Sequence, residues 1–153
     1  MTNEHFDFEK ARMKTPSRGE RNNNPLNIRH SADKWQGLTP EQKDYSFCSF
    51  ANIYYGFRAA VRILCSYRKR YALFRLEEVI SRWAPPKENN TERYIAFVAH
   101  EASLTPDSDV FKDADTLYKV MRGMTLMECG YFKNEWQAPL LQAVKETAFR
   151  RGR

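Results

Sequence analysis

From Tyr54 to Ala148 the apolar residues recur at intervals of three and four, and that rhythm restricts the chain to a set of packed amphipathic helices. A first helix is predicted from about Tyr54 to Arg70. It sets Phe57, Ala60, Val61, Leu64 and Tyr67 on one face and leaves Arg58, Arg62, Arg68, Lys69 and Arg70 largely to the other. Leu76, Val79, Ile80 and Trp83 give a shorter second helix. Pro85-Pro86 stops it, because proline lacks the backbone donor and restricts the residue before it. Asn89 or Asn90 caps a third helix, which runs through Tyr94, Ile95 and Val98 to Ala102 and is ended by Leu104-Thr105-Pro106. Asp113 or Asp115 caps a fourth, carrying Leu117, Val120, Met121, Met124 and Met127 up to Gly130. A fifth begins near Asn134 and carries Trp136, Leu140, Leu141, Val144 and Ala148 before a basic tail, Arg150 to Arg153. The fold class is mainly α.

With 153 residues, 42% hydrophobic and 14% aromatic, the chain can bury one core, which excludes a disordered protein and makes two cores unworkable. One domain is expected over residues 18–153, after a flexible polar leader of residues 1–17. No apolar run reaches the roughly 18 residues of a membrane span, and MTNEHFDFEKARMK has no apolar signal region. The protein is therefore expected to be made in the cytoplasm and to reach a cell wall or virion by a route its sequence does not specify. Cys48, Cys65 and Cys129 are odd in number and widely spaced, which fits reduced thiols in the core rather than a disulfide framework or a zinc site. Asp107, Asp109, Asp113 and Asp115 lack the glycine and closing glutamate of a calcium loop, so helix capping explains them better. No metal or cofactor is expected. The net charge of +6 favours an anionic partner, whether wall polymer, nucleic acid or lipid surface. Nucleic acid is disfavoured because no recognition motif accompanies the basic helix face and tail.

The segment from Arg18 to Leu38 is unlike the rest. Gly19, Asn22, Asn23, Asn24, Pro25, Asn27 and Gly37 are dense enough to specify turns, so an ordered loop or very short hairpin is predicted. Tyr45, Phe47 and Phe50 suggest a brief extended piece after it. Asn amides both donate and accept, which suits sugar hydroxyl and acetamido groups, and the face of Trp35 suits the apolar side of a sugar ring. The same asparagines could equally bond only their own backbone.

The strings RGERNNNPLNIRHSADKWQGLTPEQKDYSFCSFANIYYGFRAA and RWAPPKENNTERYI resemble a family of small proteins of phages and integrated bacterial elements named for a structural or a lysozyme role. Asn23-Asn24-Pro25-Leu26-Asn27-Ile28-Arg29 is also similar to the Asn-Asn-Leu-Phe-Gly-Ile-Lys block of bacterial glucosaminidases in the lysozyme-like superfamily. Thr91-Glu92-Arg93-Tyr94 is similar to their Thr-Asp-Pro-x-Tyr stretch. The resemblance implies a lysozyme-like helical domain that cleaves peptidoglycan glycan strands with a glutamate general acid. It also implies a sugar site that includes Asn22, Asn23, Asn24, Asn27, Arg29 and Trp35. Glu88, Asn90, Thr91 and Tyr94 either line the opposite wall of the cleft or serve only as helix cap and core.

In those enzymes the asparagine block follows the helix that delivers the acid, whereas here only a polar leader precedes it. Glu128, at the end of an apolar helix and just before a glycine, matches where lysozyme-like acids sit. Met124, Leu126, Met127 and Cys129 would surround it with apolar material that raises a carboxyl pKa. Behind it come Glu101, in a segment resembling the Glu-Ser of lytic transglycosylases, and Glu20, beside the asparagine loop. With Glu128 as acid the domain would be a circularly permuted lysozyme-like fold. The alternative is a non-catalytic phage or virion component that packs in the particle or grips glycan.

Overall fold

The computed structural model describes residues 15–150, which form six α-helices. They are α1 (Arg18–Arg21), α2 (Ile53–Tyr71), α3 (Leu76–Trp83), α4 (Thr91–Ala102), α5 (Ala114–Cys129) and α6 (Gln137–Ala148), the last entered through a 3-10 turn at Asn134–Trp136. The chain is mainly α. Most of the expected leader, residues 1–14, and the end of the basic tail, residues 151–153, lie outside the described residues. Of the leader's last residues, Ser17 caps α1 by accepting from the Glu20 amide, and its own amide donates to the Tyr131 hydroxyl at 2.9 Å.

The five longer helices lie where periodicity predicts them, and local chemistry sets their ends. The side chains of Asn52, Asn90 and Asp113 accept from the amides of Tyr55, Arg93 and Thr116, satisfying donors that a helix start leaves free. Gly130 ends α5 with φ +95°, a left-handed conformation that glycine adopts without a Cβ penalty. The single turn α1 falls inside the segment predicted as loop. Four residues are too few to show a period.

Packing runs from α2 to α6, then α5, α4 and α3, with α1 against α5. Phe57, Val61 and Leu64 of α2, Leu117, Val120, Met121 and Met124 of α5, and Leu140 and Val144 of α6 are all fully buried. Each such side chain contributes about 1.5–3 kcal/mol. Trp136 closes one end of the core, its ring 5.9 Å from Tyr131 and 6.2 Å from Phe57.

Residues 22–52 form a loop held by side-chain amides in place of a sheet. The fully buried Asn24 donates to the carbonyls of Ile28 and Cys48 and accepts from the Ile28 amide, each at 2.9 Å. Two antiparallel bridges, Arg29 with Phe47 and Leu38 with Phe50, are all that the expected hairpin amounts to. Asn23 and Asn27 sit at φ 52° and 54°, the left-handed region that asparagine tolerates better than most residues. The loop is seated directly on α2: a Cβ on Gly56 would lie 2.1 Å from the Asn23 carbonyl oxygen.

Candidate functional site

A cleft of about 490 Å³ opens between the asparagine loop, the start of the α3–α4 connection and the end of α5. Asn27, Arg29 and Trp35 stand on the loop side, Trp83 and Glu88 on the α3 side, and Glu128 at the end of α5. Three elements distant in sequence converge on Glu128. Its Oε2 accepts from Trp83 Nε1 at 3.1 Å and from the Tyr94 hydroxyl at 3.0 Å, and its main-chain oxygen accepts from Asn27 Nδ2 at 3.1 Å. Burial first, and then the negative charge and hydrogen bond of Glu128, push the Tyr94 phenol far above its ordinary pKa, so this hydroxyl stays a donor.

The carboxylate's surroundings differ from the apolar pocket predicted for it. Neighbours one and two places along a helix point in different directions, so Cys129 turns away to meet the Ser17 hydroxyl at 3.0 Å. Met124 is spent in the core. Two donors from α3 and α4 meet the Glu128 carboxylate instead.

The other two carboxylates have structural partners outside the cleft. Glu20 accepts from the Tyr131 hydroxyl and from Lys133 Nζ at 2.7 Å. Burial acts to raise its pKa, but these two donors outweigh it and hold the carboxyl below its ordinary value. Glu101 faces Arg122 at 3.6 Å, across the pairing of α4 with α5.

The remaining site residues divide in the same way. Asn22 donates to Asp44 and accepts from the Ser49 hydroxyl, Asn23 donates to the Phe50 carbonyl, and Asn24 is used up internally. None of the three reaches the cleft, so for them the structure shows backbone and scaffold bonding. Asn90 is an exposed cap, and Thr91 is buried with its hydroxyl donating to the Ala84 carbonyl at 2.5 Å. Asn27, Arg29, Trp35, Glu88 and Glu128 line one space, and Tyr94 backs it.

Sequence reasoning missed Tyr67, Arg82, Asp33, Asn89 and Trp83 as cleft residues. It also passed over Asp44, which organises the loop side. Asp44 takes two hydrogen bonds from the Arg18 guanidinium, each 2.6 Å, and accepts from Asn22 and from the amides of Ser46 and Phe47. Arg18, chiefly, and these other donors hold its carboxyl far below the usual range. The guanidiniums of Arg18 and Arg29 both lie over the Phe47 ring, 4.6 and 5.0 Å from its centroid. Only an Arg–aromatic spacing across a loop of unknown shape could have signalled this.

No family model matches the chain. Over 117 residues it is 41% identical to Protein P5 of Pseudoalteromonas phage PM2, covering 74% of this chain and 72% of that protein. The chain belongs to the family of phage protein P5. That relationship makes it phage-related. Among the described residues, no helix of this family member is long and apolar enough to cross a membrane, and no group of histidine, cysteine and acidic side chains could hold a metal ion.

Proposed function

We propose that this P5-family chain cleaves the glycan strands of peptidoglycan, in a reaction of the muramidase, glucosaminidase or lytic transglycosylase type, with Glu128 as proton donor. One juxtaposition carries the reading. Glu128 and Asn27, 101 residues apart, share a hydrogen bond and line a single cleft. A general acid has to come within about 2.6–3.2 Å of the oxygen it protonates, so acid and sugar-holding groups must share such a space. Trp83 and Tyr94 anchor Oε2, leaving Oε1 as the oxygen to face the glycosidic bond. Trp35 offers a ring face on the same cleft, and Asp33 and Glu88 are the carboxylates available there as base or nucleophile.

A circularly permuted lysozyme-like order is consistent with this placement. Ser17, at the head of the asparagine segment, is bonded to Cys129, the last residue of the acid-bearing helix, and to Tyr131 just past it, so the two ends of the permuted order are neighbours in space.

The test is clearing of purified sacculi by turbidity and zymogram. The wild type is expected to clear them, and Glu128→Gln should lose about 10²–10⁴-fold. A second reading has its own observation: Oε2 ties α3 and α4 to α5, a purely structural duty. If the wild type sediments with sacculi without clearing them, the protein is a glycan-binding or structural phage component and the enzymatic reading fails; if Glu128→Gln clears as well as the wild type, Glu128 is not the proton donor.

A further inference from the structure

The Glu128 cleft does not end at its own rim. Tyr67, Arg82 and Pro85 line it and also line a second groove of about 970 Å³, which runs along the outer face of α3. The exposed stripe of α3 forms one wall of this groove. Glu77, Glu78, Ser81 and Arg82 are spaced so that they fall on one side of a helix of 3.6 residues per turn. The floor is apolar, from Tyr67, Leu73 and Ile95.

The charges in this groove are ordered along it. Arg82, at the junction with the cleft, has its guanidinium 4.0 Å from the Tyr71 ring centroid and 5.5 Å from that of Tyr67. Arg75 and Glu78, which also line the groove, pair with each other at 3.5 Å, and Glu78 accepts from the amides of Phe74 and Arg75. Among the described residues, neither Arg82 nor Glu77 pairs with an opposite charge. They stand five positions apart on α3, about 7.5 Å along the axis at 1.5 Å per residue and about 140° around it.

Resting on the reading of the cleft as a glycan site, we infer that this second groove binds the peptide that branches from the glycan strand. A neutral sugar chain has no use for ordered charges of both signs. A peptidoglycan stem peptide carries a free carboxylate on its second residue, near the sugar, and commonly a free amine on the side chain of its third. Arg82 at the cleft junction faces the carboxylate and Glu77 at the distal end faces the amine, with the apolar floor under the aliphatic parts. The order of the unpaired charges matches.

The experiment reads peptide binding without turnover. The soluble free tetrapeptide, with diaminopimelate as its third residue, is titrated into the full chain and followed by calorimetry and by chemical-shift changes. Binding is expected, with the shifts centred on α3. Glu77→Gln and Arg82→Gln should each weaken it about tenfold, the effect of losing one charge-assisted contact. A tetrapeptide with alanine in place of diaminopimelate should bind wild type about as weakly as Glu77→Gln binds the natural one. Circular dichroism melts establish that both variants are folded. Absence of binding to wild type, or equal binding by folded Glu77→Gln, overturns the inference. Binding by a protein that fails to clear sacculi supports the groove assignment while sinking the enzymatic reading, so the two failures are separable.

Discussion

Replacing Asn24 by alanine tests whether the asparagine loop is scaffold or sugar site at its centre. The side chain is fully buried and makes three hydrogen bonds. Truncation leaves the Ile28 amide and the Cys48 carbonyl without partners, whereas the Ile28 carbonyl keeps the Cys48 amide at 2.9 Å. Two orphaned buried groups at about 1–3 kcal/mol each give a loss of about 4 kcal/mol. For a domain of this size that corresponds to a fall in Tm of about 8–16 °C. Urea unfolding followed by circular dichroism measures the first quantity and a thermal melt the second. Asn24→Asp provides an isosteric control. A carboxylate cannot donate to the two carbonyls, so the folded state disfavours it and its pKa is raised above the unfolded value. Its stability is then expected to be closest to wild type below the unfolded carboxyl value and to fall as pH rises from there through the raised folded value. A loss below about 1 kcal/mol in Asn24→Ala, or weakened sacculus binding at unchanged stability, would refute the scaffold role.

Gly56→Ala places a methyl 2.1 Å from the Asn23 carbonyl oxygen, against backbone that cannot rotate away, and is expected to cost at least about 3 kcal/mol in chemical denaturation. Glu20 has a depressed pKa, so its pairing with Lys133 and Tyr131 contributes stability above the unfolded carboxyl value and loses it as pH falls through the folded one. Glu20→Gln should therefore lower stability at neutral pH by about 1 kcal/mol and flatten the acid limb of the stability curve, read from melts between pH 3 and pH 7. Glu128→Gln keeps a carbonyl oxygen for Trp83 and Tyr94 and should stay within about 1 kcal/mol of wild type. Glu128→Ala orphans both donors and should cost about 2 kcal/mol or more in the same urea assay.

The five longer helices were legible in the sequence because burial of one face imposes a period of three and four. Their caps, Asn90, Asp113 and Gly130, act on groups within a few residues of themselves. The same locality explains why Glu128 could be placed at a helix end without any knowledge of the fold. Its partners could not be found that way. Trp83 and Tyr94 lie 45 and 34 residues before it, and their meeting depends on α3 and α4 packing together and α4 packing on α5. Nor could sequence decide between two uses of an asparagine amide. Asn23 and Asn24 bond loop carbonyls in place of a sheet's hydrogen bonds, Asn22 bonds the Asp44 and Ser49 side chains, and Asn27 reaches the α5 end; the loop path alone separates these outcomes. Nothing in the sequence singles out Arg82. Only the tertiary structure sets it between two grooves, because which side of a helix faces open space is fixed by what packs against the other side.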